Sequence, residues 1–320
     1  MKKILLLLTL GLMGLSLTAC NGTEEDDNPV IYVTVYPMEF LITEIAGDTV
    51  TVKHVPGTAA HGESIDWSAK DIIDMSEADL LFFIHAGADD FIPNNASVFA
   101  DGVVELVDMS QHVTYNLVCY QHAHDEDHEV EQETVEECDD SSLNEDPHFW
   151  LDPVLMATAA EYVKDKLIAT YPENEALFNN NYTVLSSALE KLHEDFQDMA
   201  DAATKPIITT VMLFSYWHAR YDIDIMSITS DAHSTESNPG DLIELLTHAV
   251  EDNIMYVLFE KNANSPAGTQ LLADLQAEVP EADALYLHGL GKMTEEEITA
   301  GASYLTLMYD NLEALNSATK

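Results

Sequence analysis

Asp146-Pro147-His148-Phe149-Trp150-Leu151-Asp152-Pro153 holds one histidine between two prolines and beside two aromatic side chains. Proline fixes φ and lacks an N–H, so each of the two marks the start or end of an element. A helical pattern follows at residues 154–171, and a polar, helix-favouring stretch occupies 173–203. Within it Leu177, Tyr182, Leu185, Leu189 and Leu192 recur at steps of three to five. At 1.5 Å per residue such a helix spans ~45 Å, longer than one small lobe. This arrangement predicts one long helix joining two lobes.

The same alternation of elements runs outward on both sides. Upstream, residues 30–35, 49–55, 79–84 and 103–107 read as strands, and 37–45 and 68–75 as helices. Downstream, 206–211, 225–228, 254–259 and 285–287 read as strands, with helices at 213–221, 240–251 and 267–278. A closing amphipathic helix is predicted at 295–316, with Ile298, Tyr304, Leu305, Met308, Leu312 and Leu315 on one face. Several strands are apolar throughout, as strands covered on both faces are. The predicted fold class is α/β. It has two lobes, residues 29–172 and 204–320, with mostly parallel sheets flanked by helices.

The N-terminus reads as an export signal. Lys2 and Lys3 precede an apolar run, and Leu17-Thr18-Ala19-Cys20 has the form of a lipoprotein cleavage site with Cys20 as the lipidated residue. The run is short for a spanning helix, which needs ~20 residues, although an ordinary signal peptide or anchor helix is the alternative. Residues 1–19 are thus read as signal peptide and 20–28 as a flexible acidic tether. The formal charge is −46, and removing the two leader lysines makes it −48. Such a chain repels nucleic acid and meets membrane only through its lipid anchor. The acids are spread along the sequence, which reads as a solvated acidic surface. Outside the cytoplasm Cys119 and Cys138 can persist as a disulfide. That bridge would be worth ~3 kcal/mol in the chain-entropy model; thiolate metal ligation is the alternative reading of the pair.

Thirteen histidines outnumber the twelve lysines and arginines. His61 follows the second strand, His85 the Asp79-Leu80-Leu81-Phe82-Phe83-Ile84 strand, and His288 the Leu285-Tyr286-Leu287 strand. Open α/β lobes bind ligands beyond the carboxyl ends of their strands. Together with His148, these positions suggest metal binding by neutral imidazole, a preferred donor for zinc. His122, His124 and His128 lie among Asp125, Glu126 and Asp127 in the low-complexity segment 121–140. That segment reads either as a metal-collecting arm or as an acidic loop that happens to contain histidine. Imidazole plus carboxylate suits zinc better than calcium or magnesium. His54, His112, His193 and His248 read as surface or helix-face residues. The sequence contains no nucleophilic triad, phosphate loop or zinc-protease helix.

Taken together, these residues resemble the metal-binding lipoproteins of ABC importers for zinc and manganese, the cluster A-I substrate-binding proteins. The resemblance covers essentially the whole mature chain. It rests on Val33-Thr34-Val35-Tyr36-Pro37, Pro56-Gly57 with His61, Ala78-Asp79-Leu80 with Gly87, and the Asp146 to Pro153 block. Phe214-Ser215-Tyr216 with Arg220-Tyr221, Glu236 with Asp241-Leu242, Phe259-Glu260 and Leu290-Gly291-Lys292 complete it. It implies a metal site in the inter-lobe cleft beside one rigid linking helix, and the acidic His-rich loop resembles that of the zinc-specific branch. By position, His61 and His148 match the two ligands of the first lobe. The second lobe departs from the pattern. Val211 stands where a His or Glu ligand is expected, and His288-Gly289 replaces the Asp-Pro of the last ligand turn. His288 keeps a donor there, while His218, His85 or Glu260 are the candidates to replace the donor lost at Val211.

The resemblance implies a monomeric binding protein, not an enzyme, that hands zinc to an ABC permease and its ATPase from the outer face of the cell membrane. Manganese or iron in place of zinc, a metal-dependent hydrolase and a metal-binding adhesin are the rival readings. Imidazole ligands must lose their protons to bind metal. Zinc affinity is therefore expected to fall as pH is lowered from about 7 to about 5. A constant affinity across that range, measured by chelator competition, would rule out histidine ligation.

Overall fold

The computed structural model describes residues 28–57, 67–119, 143–229 and 239–320 of the chain. Its first half is built on a parallel sheet of β1 (Val30–Val33), β2 (Thr51–His54), β3 (Leu80–Phe83) and β4 (Glu105–Asp108), in the order β2-β1-β3-β4. Helices α1 (Tyr36–Ala46), α2 (Ala69–Ser76) and the short α3 (Phe91–Asn94) lie along this half of the chain. An antiparallel pair follows, β5 (Asn116–Cys119) with β6 (Leu143–Asp146). Helices α4 (Pro153–Thr170) and α5 (Glu175–Asp201) then lead to the second half.

That half repeats the plan. Its strands β7 (Ile207–Thr209), β8 (Ile225–Ser227), β9 (Tyr256–Glu260) and β10 (Asp283–Leu287) form a parallel sheet in the order β10-β9-β7-β8. Read from the other edge, this is the first sheet's order. In each sheet the winding reverses beside the first strand, between β1 and β3 and between β7 and β9. A ligand crevice is expected beyond the carboxyl ends of the strands at such a reversal. The remaining helices are α6 (Ser215–Tyr221), α7 (Pro239–Glu251), α8 (Pro266–Glu278), α9 (Glu295–Ala300) and α10 (Tyr304–Ala318).

The predicted α/β class and the long helix stand, with four changes of detail, one being that Ile298, expected on the apolar face of the closing helix, is 58% exposed. The closing helix expected at 295–316 is two helices. Gly301 ends α9 at φ 73°, a left-handed geometry that glycine adopts without strain, and Ser303 opens α10 with a capping box. The β5–β6 pair was not foreseen, because Leu143-Asn144-Glu145-Asp146 lacks the β-branched alternation of a strand. Leu177, expected on the buried stripe of α5, is 40% exposed. The stripe runs instead through Phe178, Leu185, Leu189, Leu192, Phe196 and Met199. The segment 121–140 and Cys138 lie outside the described residues. Among the described residues no helix is long and apolar enough to cross a membrane.

With its 27 residues, α5 is ~40 Å long. It packs on α1 and α4 of the first half and on α6 and α10 of the second. Its buried stripe thereby joins one core that reaches from Ile31 and Val33 of β1 to Leu307 and Leu315 of α10. Smaller clusters fill the far face of each sheet: Met75, Phe83 and Phe99 in the first half, Leu245, Val257 and Leu275 in the second. The lobes therefore share their main core. Leu189 is fully buried midway along α5. Truncating Leu189→Ala should cost ~2–5 kcal/mol in chemical denaturation. Tryptophan fluorescence and circular dichroism should still unfold together, since the lobes share their main core; two separate transitions would contradict that.

Candidate metal centre

His148 is delivered by the end of β6. Asp146 is the last residue of that strand and pairs with Asn116 of β5. Pro147 follows, and His148 turns with φ −81° and ψ 36° into a single 3-10 turn over Phe149–Leu151. Asp152 then caps α4, accepting from the N–H of Val154 at 2.8 Å, with Pro153 in the first helical position. Proline suits that position because its missing N–H would have had no partner there. The chain thus passes from strand to helix in six residues, with the histidine at the bend.

Asp146 orients the ring. Its Oδ1 accepts from the backbone N–H of His148 at 3.0 Å and lies 2.6 Å from Nδ1. Burial would raise this carboxyl. The charge of His148, its hydrogen bonds and the Ser215 hydroxyl outweigh burial and hold it below the usual carboxylate range. An ionised carboxylate only accepts, so Nδ1 carries the proton and donates. In the neutral ring the lone pair then sits on Nε2, the arrangement that carboxylate-bound histidines use to bind metal. The ring is 4% exposed and meets the edge of Trp150 at 5.2 Å between centroids.

The second lobe grips this segment along its length. Ser215 Oγ donates to Asp146 Oδ2 at 2.5 Å, and the Tyr216 hydroxyl donates to the Asp146 carbonyl at 2.6 Å. Trp217 Nε1 donates to the Leu151 carbonyl, and Arg220 pairs with Asp152 at 2.7 Å. Tyr304 donates to the Trp150 carbonyl at 2.6 Å, and Trp150 Nε1 reaches the Gly289 carbonyl at 2.8 Å. These partners lie 66 to 154 residues from their acceptors, so no local pattern reveals the contacts, although Ser215, Tyr216 and Arg220 belong to a stretch that carries the resemblance. Asp146 did carry a signal, because an aspartate two residues before the histidine commonly accepts that residue's N–H.

Glu260 is the second-lobe candidate whose carboxyl feels the charge of His148. It ends β9 at the reversal point, and its N–H donates to Thr210 Oγ1 at 3.2 Å beside the end of β7. Burial raises its carboxyl, and attraction to His148 acts the other way. A Cβ on Gly289 would stand 3.1 Å from Glu260 Oε1 and 2.7 Å from Leu213 Cδ2. The glycine in the place of the family's proline leaves that room to the carboxylate.

The other expected donors are placed elsewhere. His288, expected at the cleft, is turned into the second lobe. Its Nδ1 accepts from Leu290 N–H at 2.8 Å, so the ring proton lies on Nε2, which faces Glu297 Oε1 at 3.2 Å. Asn311 pins its backbone on both sides. Burial pushes His288 below the usual histidine range, although Glu297 pulls it upward. His218, expected as a replacement for the donor lost at Val211, points to the end of its own helix, where Nδ1 donates to the Ile223 carbonyl at 2.9 Å. His85 follows β3 in a left-handed turn, with φ 61°, 54° and 80° at His85, Ala86 and Gly87. That turn is held by buried Asp89, which accepts from the N–H groups of Ile84 and His85 and from Thr34 Oγ1. The His85 ring lies 3.1 Å from Asp90. Val211 is buried, with its carbonyl taken by Thr209. Among the described residues no three His, Cys, Asp or Glu side chains gather to hold a metal by themselves. His61, His122, His124, His128 and Cys20 lie outside the described residues.

Glu297 caps α9 through Thr294 and meets Lys261 at 3.1 Å. Burial would raise its carboxyl, but those hydrogen bonds and the charges of Lys261 and His288 hold it down to about 2. A depressed carboxylate stabilises the fold above its unfolded pKa of 4.5 and loses that contribution as pH falls toward about 2. Glu297→Gln should therefore be less stable than the parent at neutral pH, and the gap should narrow across that acid window. A gap independent of pH in urea titrations would contradict the ion-pair assignment.

The chain is similar to known proteins over nearly its whole length. The family model for the zinc-uptake complex component A, periplasmic, matches residues 31–318. The zinc-binding lipoprotein AdcA of Streptococcus pneumoniae is 27% identical over 321 residues, which is 100% of this chain and 61% of that protein. The chain thus spans about six-tenths of that relative's length. The high-affinity zinc uptake system protein ZnuA of Bacillus subtilis is 24% identical over 306 residues, covering 95% of this chain and 92% of its own. In fold, the chain is similar to the Zn(II)-bound ZnuA-like domain of Streptococcus pneumoniae AdcA. The TM-score is 0.70 at 24% identity, over 91% of this chain and 99% of that one.

Proposed function

The chain belongs to the zinc-uptake complex component A family, and from that premise we propose that it captures zinc outside the cytoplasm and delivers it to an ABC permease and its ATPase. It acts as a binding protein rather than an enzyme, held at the membrane by lipid on Cys20. Zinc is its cargo, bound between the lobes and then released. The observation that carries this reading is His148, with Nδ1 locked on a buried carboxylate and Glu260 of the other lobe within electrostatic reach.

The ligand set we propose is His61 and His148 from the first lobe and Glu260 from the second. Two imidazoles and a carboxylate match zinc's donor chemistry and leave a fourth tetrahedral position. His288 joins only by giving up Glu297 and Leu290. Relatives that bear zinc-binding names support the choice of cargo. The single oxygen donor from Glu260 is the feature that would favour manganese, which prefers carboxylate and carbonyl ligands. The lobes are fastened by a shared core and by the hydrogen bonds around residues 146–152. Capture therefore proceeds by small adjustments of side chains and loops rather than by wide opening.

Elemental analysis and calorimetry of the full chain test this reading. The wild-type protein should carry zinc in preference to manganese. His148→Ala should lose it, and Glu260→Gln should bind it more weakly while keeping the fold. Unchanged zinc content in His148→Ala would overturn the site, and manganese retained over zinc would overturn the cargo.

A further inference from the structure

Ser215 is the first residue of α6, yet its hydroxyl does not cap that helix. It is buried and turned across the lobe boundary to Asp146 Oδ2. The other oxygen of Asp146 serves His148 alone, at the backbone N–H and at Nδ1. One carboxylate is therefore held at one oxygen by each lobe. The last torsion of an aspartate is broad and soft, so a carboxylate anchored at one oxygen can swing. Anchoring at both oxygens fixes its plane, and with it the direction of the His148 ring. The remaining contacts of α6 with this segment, through Tyr216, Trp217 and Arg220, bind backbone or Asp152 and leave the Asp146 carboxylate untouched.

We infer that Ser215 is a positioning residue for metal capture, a second-lobe hydroxyl that sets the aim of a first-lobe ligand through Asp146. This rests on the reading of His148 as a ligand. The consequence is that zinc affinity depends on how α6 sits against β6, although α6 itself donates nothing to the metal. A shift of α6 that stretches the Ser215 contact frees the carboxylate, and the imidazole loses its fixed direction.

The test is a chelator-competition series on the full chain with zinc alone. It compares wild type, Ser215→Ala, Ser215→Thr, Asp146→Asn, the Ser215→Ala/Asp146→Asn double variant and His148→Ala. Melting curves of the metal-free forms control for folding. Removing a ligand's own outer-shell partner typically weakens metal binding about 10–100-fold, the loss expected of Asp146→Asn. Ser215→Ala should show a measurable part of that loss, Ser215→Thr should recover most of it, and the Ala change should add nothing once Asp146 is Asn. Wild-type affinity in Ser215→Ala, or a loss of equal size in the Asp146→Asn background, overturns the relay. If Ser215→Ala does not fold, Ser215→Cys carries the same expectation with a weaker donor. His148→Ala separates the two readings. Zinc retained there sinks the metal site itself, while zinc lost there but kept in Ser215→Ala sinks only the relay.

Discussion

A buried aspartate that keeps its charge needs donors on every side, and Asp146 finds them on both halves of the molecule. That requirement organises the centre of the structure. It forces β6 to end beside the first turn of α6 and brings His148 to the same carboxylate. It leaves the following residues, through Asp152, to be gripped by Trp217, Tyr304 and Arg220. The carboxylate that orients the candidate ligand therefore also carries one of the contacts that hold the lobes together.

The shared core has a mechanical consequence. In a protein whose lobes have separate cores, a hinge can open by breaking few contacts. Here the buried stripe of α5 and the residues around Trp150 and Trp217 pack as one body. Opening that body would expose apolar surface at roughly 25 cal/mol per Å², so wide opening is costly. On the proposed function, metal is taken up by local adjustment at the carboxyl ends of the sheets. The turns best placed to adjust are the strained one at His85–Gly87 and the glycine turn at Gly289.

Much of this was legible in the sequence, where local chemistry decides. The runs that became β3 and β9 are apolar enough to be buried on both sides, and the spacing of Leu185, Leu189 and Leu192 gives the long helix its inward face. Asp152-Pro153 announces a helix start that the structure bears out. What escaped depends on partners distant in the chain. Leu143-Asn144-Glu145-Asp146 is a strand only because Asn116 to Cys119 lies alongside. The break at Gly301 was hidden by apolar residues that keep a helical period on both sides of it. His288 read as a cleft donor because its position matches a ligand turn. Its direction is set by Leu290, Asn311 and Glu297, which no local pattern reveals. Glu260 is visible in the sequence only as one candidate among several, and the structure puts it at the reversal of the second sheet.

The central claim is that this chain binds zinc through His148 Nε2, with Asp146 on the opposite nitrogen. Crystals of the zinc-loaded protein, with anomalous diffraction recorded on both sides of the zinc edge, address it most directly. One strong zinc peak is expected about 2.0–2.1 Å from His148 Nε2, with the Nδ1 contact to Asp146 retained. A zinc peak away from His148, or an Nδ1-bound ion with Asp146 displaced, would contradict it.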